Sequence, residues 1–365
     1  MFRSLSSLFL GLLVVGLQAQ SVGKLVYFEG DIKIVRNERV YTAADLEFGD
    51  PIENYDMIST GARSLLEISL NPNTGVAGNI KLSPSSSFYL ELSPLQRAQT
   101  AGVELVAGKV ALNISRMSGS SGLQVRTGGA VMGVRGTQFN VSFGAGGETL
   151  VATSEGKVEV TNDDGKVLFS TPGSVVEVGE RFRSIPVAVS SLENFEKNWG
   201  TERIEALKGN AGRAIVNFAA RYDKLYADFN RAMDRLNREK TVLNKWKDEH
   251  KRGTIGSMMD INKEKKVIVP HLLSLRKTLF MFERIYFRLT ELKEYSASVL
   301  NTPIRRGYTV GDFYKQFDKD AGSLAQQMAT VRFVMKLYSD RNEGKVPSDS
   351  FGDDFEFDDS ESFFD

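Results

Sequence analysis

From residue 21 to about 187, apolar and polar positions alternate in short runs: KLVYF, DIKIV, SLLEISL, FYLEL, KVALNI, TQFNVSF, KVEVT and SVVEV. In KVALNI, Val110, Leu112 and Ile114 fall on one face, and Lys109, Ala111 and Asn113 on the other. A period of two marks a strand with one buried face, because successive side chains point to opposite sides of a sheet. Turn residues separate the runs, as at Glu29-Gly30-Asp31, Asn162-Asp163-Asp164-Gly165 and Pro172-Gly173. Many short strands with frequent turns predict an all-β domain over 21–187.

From about 190 the period lengthens. Ile215, Phe218, Tyr222, Leu225, Phe229, Ala232, Leu236, Leu243 and Trp246 step by three and four, with one heptad core position taken by Glu239. Leu275, Leu279, Phe282, Tyr286 and Leu289 repeat the spacing, as do Val310, Phe313, Phe317, Leu324, Met328 and Val331. These are amphipathic helices, each with a stripe that must be buried, so the stripe aromatics read as core rather than as a binding face. Arg252-Gly253-Thr254-Ile255-Gly256 and Asn301-Thr302-Pro303 break the pattern. Helices joined by short breaks predict an antiparallel bundle over 190–345; the heptad spacing of the first helix equally allows a coiled-coil arm. The fold class is therefore α+β and multidomain.

Two ends stand apart. MFRSLSSLFLGLLVVGLQAQ has Arg3, an apolar run from Leu8 to Val15 and small residues near Ala19, the order of a cleaved signal peptide, 1–20. It predicts export to the periplasm, and no later stretch is apolar enough for an integral span after cleavage. At the other end, residues 348–365 read SDSFGDDFEFDDSESFFD, with eight acidic residues, five Phe and no base. Self-repulsion and lack of a period predict disorder there.

Charge sharpens this division. Residues 191–347 hold 30 basic and 20 acidic residues, near +10, against −8 in the tail and a total of zero. A tail that only solubilises needs no aromatics. Phe351, Phe355, Phe357, Phe363 and Phe364 therefore make it a candidate partner-binding segment, with acids to steer and rings to anchor. The basic residues are interspersed with acidic ones along helices of an exported chain, so no nucleic-acid partner is expected.

Candidate chemistry is sparse. The chain has no cysteine, which excludes disulfides, thiol catalysis and Cys-based metal sites. Its two histidines, His250 and His271, lie in the helical region and read as exposed. No catalytic, cofactor-binding or metal-ligating set is expected, and no cofactor.

VMGVRGTQF, residues 131–139, is the densest motif. A phosphate loop would need a longer glycine run with a lysine and a hydroxyl, opening a helix. This segment instead runs into an alternating strand, so it reads as a turn. Gly133 and Gly136 would permit positive φ or close approach, and Arg135 would clamp loop carbonyls or a carboxylate.

These residues resemble the FecR domain family, named after the ferric-citrate sensor and regulator. Its hallmark stands here as Gly133-Val134-Arg135-Gly136-Thr137-Gln138-Phe139. Gly30-Asp31-Ile32, Gly49-Asp50-Pro51-Ile52, Thr60-Gly61-Ala62-Arg63-Ser64, Gly108-Lys109-Val110, Glu155-Gly156-Lys157-Val158-Glu159-Val160, Pro172-Gly173 and Val178-Gly179-Glu180 agree in order and spacing. The resemblance covers about 22–186. It implies a solenoid-like stack of short strands outside the cytoplasmic membrane, and an interaction or signalling module rather than an enzyme. Periodicity alone would equally allow a sandwich. Sensor-type members carry an N-terminal anti-sigma segment and a membrane span; here an export signal directly precedes the β domain, so transmembrane iron signalling is not carried over.

The leading expectation is a non-catalytic envelope scaffold or adaptor. It would bind a cell-wall or protein partner through the β domain, helices and tail, and the helices would allow a homo-oligomer. The alternative is a component of an envelope signalling system of the FecR type. A cell-wall hydrolase is a distant third.

Overall fold

The computed structural model describes residues 21–92, 100–117, 122–144 and 146–342. The expected signal peptide and the acidic tail, with Phe351, Phe355, Phe357, Phe363 and Phe364, lie outside the described residues.

The alternating runs form strands. They are β1 (Gly23–Glu29), β2 (Ile32–Arg36), β3 (Arg39–Thr42), β4 (Pro51–Ile52), β5 (Met57–Thr60), β6 (Leu65–Leu70), β7 (Val76–Leu82), β8 (Ser87–Glu91), β9 (Thr100–Met117), β10 (Gly122–Arg126), β11 (Ala130–Val134), β12 (Gln138–Phe143), β13 (Thr149–Glu155), β14 (Val158–Asn162), β15 (Val167–Ser170), β16 (Ser174–Val178) and β17 (Arg183–Pro186). One layer runs β4-β1-β6-β7-β9-β12-β13-β16-β17. The second runs β3-β2-β5-β8-β9-β10-β11-β14-β15. Neighbours are antiparallel except β9 and β10. Both layers follow near sequence order, so the chain zigzags between them and advances along one axis. The solenoid-like stack and the sandwich are here one architecture.

The alternation explains the interior. Leu25, Ile68, Ile80 and Val141 of the first layer meet Ile34, Ile58, Phe88 and Val125 of the second in one core, each about fully buried. β9 belongs to both layers. Its first half pairs with β8, its second with β7 and β12, and it switches at Gly108, where φ is +82°. A Cβ on Gly108 would lie 2.6 Å from the Ser85 carbonyl oxygen.

The helical region comprises α1 (Leu192–Arg238), α2 (Lys240–Lys251), α3 (Met258–Leu292) and α4 (Val310–Arg341). α3 runs antiparallel to α1 and α2: Phe229 stacks on Phe282 at 4.8 Å, and Trp246 donates to Glu264 at 2.8 Å. α4 returns along α3, with the Tyr314 hydroxyl donating to the Leu289 carbonyl and Lys265 to Asn342. The stripe residues fill this core.

Three expectations need correction, and one open alternative is decided. Glu239 does not continue a heptad; the helix breaks there between α1 and α2. A carboxylate cannot be buried unpaired, and the break leaves it half-exposed, 3.8 Å from His271 Nε2. The second helix ends at Leu292, before Asn301-Thr302-Pro303, which instead leads into a hairpin of β18 (Pro303–Arg305) and β19 (Tyr308–Thr309). Thr309 then caps α4 in a reciprocal box with Asp312. The histidines are half-buried rather than exposed, because both helix faces carrying them pack on neighbours: His250 lies edge-on to Phe333 and His271 near Glu239. Finally, the helices form no protruding arm. They dock on the β unit, so Tyr55, Met57, Tyr89 and Val106 join the helical core. Leu192 and Trp199 of α1 cover Leu150, Ala152 and Val175.

Gly108→Ala combines left-handed backbone strain with a backbone clash, and should cost about 3–5 kcal/mol in urea unfolding.

Candidate functional site

Among the described residues, no three His, Asp or Glu side chains cluster as metal ligands. Among the described residues, a groove of about 670 Å³ opens on the outer face of the first layer over Lys24, Ser69, Asn79, Asn113 and Ser115. No His, Asp or Glu lines it, so it offers no carboxylate pair for general acid–base work.

The hallmark residues occupy a crossing. β11 ends at Val134 in the second layer and β12 starts at Gln138 in the first, so Arg135-Gly136-Thr137 carry the chain between layers. Gly136 has φ +62°, with open space where a Cβ would sit. Thr137 is buried, and its carbonyl accepts from Ile114 N at 2.9 Å. Phe139 is 1% exposed and anchors the core.

The reverse crossing, from β13 to β14, nests on this one. Gly156 has φ +80°, and a Cβ there would lie 2.7 Å from Thr137 Cγ2 and 2.9 Å from the Gly136 carbonyl. The same nesting recurs where Gly30 meets Arg63-Ser64 and where Gly108 meets Ser85-Ser86. In those two the residue after the glycine donates its N–H to a serine: Asp31 to Ser64 Oγ and Lys109 to Ser86 Oγ, both at 2.8 Å. Glu29-Gly30-Asp31-Ile32, Ala107-Gly108-Lys109-Val110 and Glu155-Gly156-Lys157-Val158 are thus one corner used three times.

Two hallmark residues have no such task. Gly133 lies in β11 without positive φ, and a Cβ would stand 3.8 Å from Glu159 Cβ, ordinary contact. Arg135 is exposed and makes no hydrogen bond or ion pair among the described residues. The expected clamp is not formed, because the odd positions of β11 point outward and Arg135 continues that face. There Val131, Thr161 and Val167 form one cross-strand row and Gly133, Glu159 and Phe169 the next. Val131, Val167 and Phe169 are 36%, 46% and 41% exposed. Lys157 Nζ sits 3.4 Å from the Phe169 ring centroid, a cation–π contact.

A second assembly of charged groups joins the β unit to the helices. In the β2–β3 turn, Asn37 and Glu38 both take positive φ. Glu38 accepts from Lys247 at 2.6 Å and from Thr330 at 2.7 Å. Asn37 accepts from Lys336 at 3.2 Å, and Lys336 also pairs with Glu53. Further along, Arg276 holds Glu91 at 2.9 Å. Behind the seam, within the helices, the buried Arg332 of α4 pairs with the buried Glu283 of α3. On the other side, Glu177 accepts from Trp199 Nε1 at 2.8 Å and pairs with Arg203, while Glu196 accepts from Asn140 at 2.8 Å and pairs with Lys109. Asp340 lies 4.0 Å from His250 Nδ1. Burial pushes its carboxyl up to about 6 despite Lys336 and Arg341. Burial and then Lys336 hold His250 below its ordinary value. The seam was missed in the sequence, although VRFVMKLY in α4 carries the signal: apolar residues on both sides of Arg332 and Lys336 bury this turn all round, and the two cations with it.

Residues 56–159 match the family model described as FecR protein. A FecR domain lies within the β unit. It takes in the hallmark crossing and the layer switch of β9, and leaves the helices outside. No curated protein matches the chain. Two solved structures of a "putative anti-sigma factor" from Parabacteroides distasonis ATCC 8503 are similar in part, each 20% identical with a TM-score of 0.32. The likeness covers 38% of this chain and 62% and 63% of those chains, so this chain spans about three-fifths of their length. No helix among the described residues is long and apolar enough to cross a membrane.

Alanine at Gly156 and at the two hallmark glycines should separate these roles in thermal and urea unfolding. Gly156→Ala should cost about 3–5 kcal/mol, Gly136→Ala about 1–2, and Gly133→Ala nothing or a small gain. Asp340→Asn tests the seam. Because the folded carboxyl titrates near 6 against an ordinary 3.8, the folded state holds the extra proton across that window, and stability falls as pH rises through it. The amide should therefore stabilise by up to about 3 kcal/mol at neutral pH, with the gain gone near pH 4.

Proposed function

We propose that the chain is a non-enzymatic component of an envelope signalling system, acting outside the cytoplasmic membrane. Its FecR domain would take a membrane-anchored regulatory protein on the outer face of β11, β14 and β15. The observation that carries this reading is the division within the hallmark. Gly136, Thr137 and Phe139 serve the crossing, whereas Gly133 and Arg135 serve nothing in the fold and face outward. Gly133 leaves a flat place on the strand. Arg135 offers a planar fork of donors on the same outer face as Val131 and Phe169, a mixture of guanidinium and apolar anchors of the kind that concentrates binding energy in interfaces.

The FecR match favours signalling over the scaffold expected first. The docked bundle points the same way, since helices folded against the β unit lack the reach of a coiled-coil arm. Delivery to the periplasm rests on the export signal expected at 1–20.

The test is crosslinking in envelopes with the full chain and Arg135→Glu. Wild type should capture one membrane-anchored regulator, and the variant should lose about tenfold or more of that capture at unchanged unfolding midpoint. Deleting the gene should shift a defined set of transcripts. Capture untouched by Arg135→Glu, together with unchanged transcription, would defeat the reading.

A further inference from the structure

Among the described residues, the first half of α3 presents a face with no partner. Met258, Met259, Asn262, Lys263, Lys266, Val267 and Pro270 recur at four-residue spacing and are all exposed, with Met258 and Met259 at 68% and 67%. Exposed paired methionines above two lysines form a surface that is both apolar and basic. The acids of this segment are engaged elsewhere: Asp260 takes the Ser257 hydroxyl at 2.8 Å, and Glu264 takes Lys245 and Trp246. Next to this face α4 ends. Lys265, on the same turns, donates to Asn342 at 2.6 Å, and the undescribed chain starts at Glu343.

We propose that this face is covered by the chain's own residues 348–365, with phenylalanines on Met258, Met259 and Val267 and carboxylates on Lys263 and Lys266. Three observations select this occupant. The segment bears eight acids, five phenylalanines and no base, the complement of the face. It leaves the fold one helical turn from its target. The five residues 343–347 reach about 17 Å when extended, close to the roughly 18 Å length of the face. A short tether also gives an effective concentration of about millimolar, which a second copy or a free partner at micromolar level does not match. The tail is then a self-cover for the α3 face. This goes beyond the signalling proposal and involves a different surface.

The absence of cysteine makes the test direct. Ser360→Cys in the full chain accepts a single nitroxide label, and methionine methyl NMR reads its distance. Met258 and Met259 methyl signals should lose intensity against the reduced-label control. The loss should shrink several-fold in Lys263→Glu/Lys266→Glu with an unchanged unfolding midpoint, and in about 1 M salt, where screening acts within about 3 Å. Methyl signals that ignore the label would overturn the proposal. So would broadening that appears only when labelled chain is mixed with unlabelled methyl-enriched chain, which would assign the face to a second copy.

Discussion

The whole β unit depends on bringing backbone against backbone where the chain passes between its two layers. Each layer alone has one apolar face, and neither could stay in water. The chain alternates between them, so every few residues it must turn through the edge of the core. At Gly30, Gly108 and Gly156 it does so with positive φ, closer to the opposite crossing than any Cβ permits. The nested corners set the separation of the layers. Phe88, Phe139 and the aliphatic residues around them can then fill that space.

That geometry also determines where the helices can sit. Crossings occupy the edges of the sandwich, leaving the broad outer faces free, and the helices take part of them. The seam is ionic as well as apolar, with Lys336–Glu53 and Arg276–Glu91 largely out of water. Buried pairs of this kind add little net stability compared with apolar residues of the same volume. Breaking one partner is costly, which makes them suited to fixing a single docked arrangement. The Asn37 and Glu38 turn adds to this: a two-residue loop at positive φ meets Lys247, Thr330, Lys336 and His250 of the helices at once.

Much of this was legible beforehand, for physical reasons. Strand and helix periods are local, so KVALNI and the Ile215–Trp246 stripe predicted their own burial. The resemblance supplied the order of the β motifs. What local pattern cannot show is pairing between distant residues. Nothing near Glu283 announces Arg332, and nothing near Glu38 announces Lys247. Glu239 looked like a defect in a heptad because the break that relieves it depends on packing around His271. The threefold Gly corner was visible as a repeat in the sequence, but only the nesting shows why the glycine is required. Arg135 was misplaced because a motif fixes neighbours along the chain and not the side of the sheet.

This last point bears on how the hallmark is read. A motif shared within a family mixes residues kept for folding with residues kept for contact, and spacing treats them alike. Burial and Cβ geometry separate them. Gly136, Thr137 and Phe139 are explained by the crossing alone, so their presence says that the fold is the same and nothing about a partner. Gly133 and Arg135 gain nothing from the fold: one would accept a methyl group, the other holds its charge in solvent. A residue that the structure leaves unused, within a segment the structure otherwise uses fully, is where an external requirement shows through. The same logic applies to the first half of α3, where Met258 and Met259 are exposed at a real solvation cost that nothing within the described fold repays. The two surfaces differ in chemistry, one built around a single guanidinium and the other around lysines and thioethers, and so they call for different occupants.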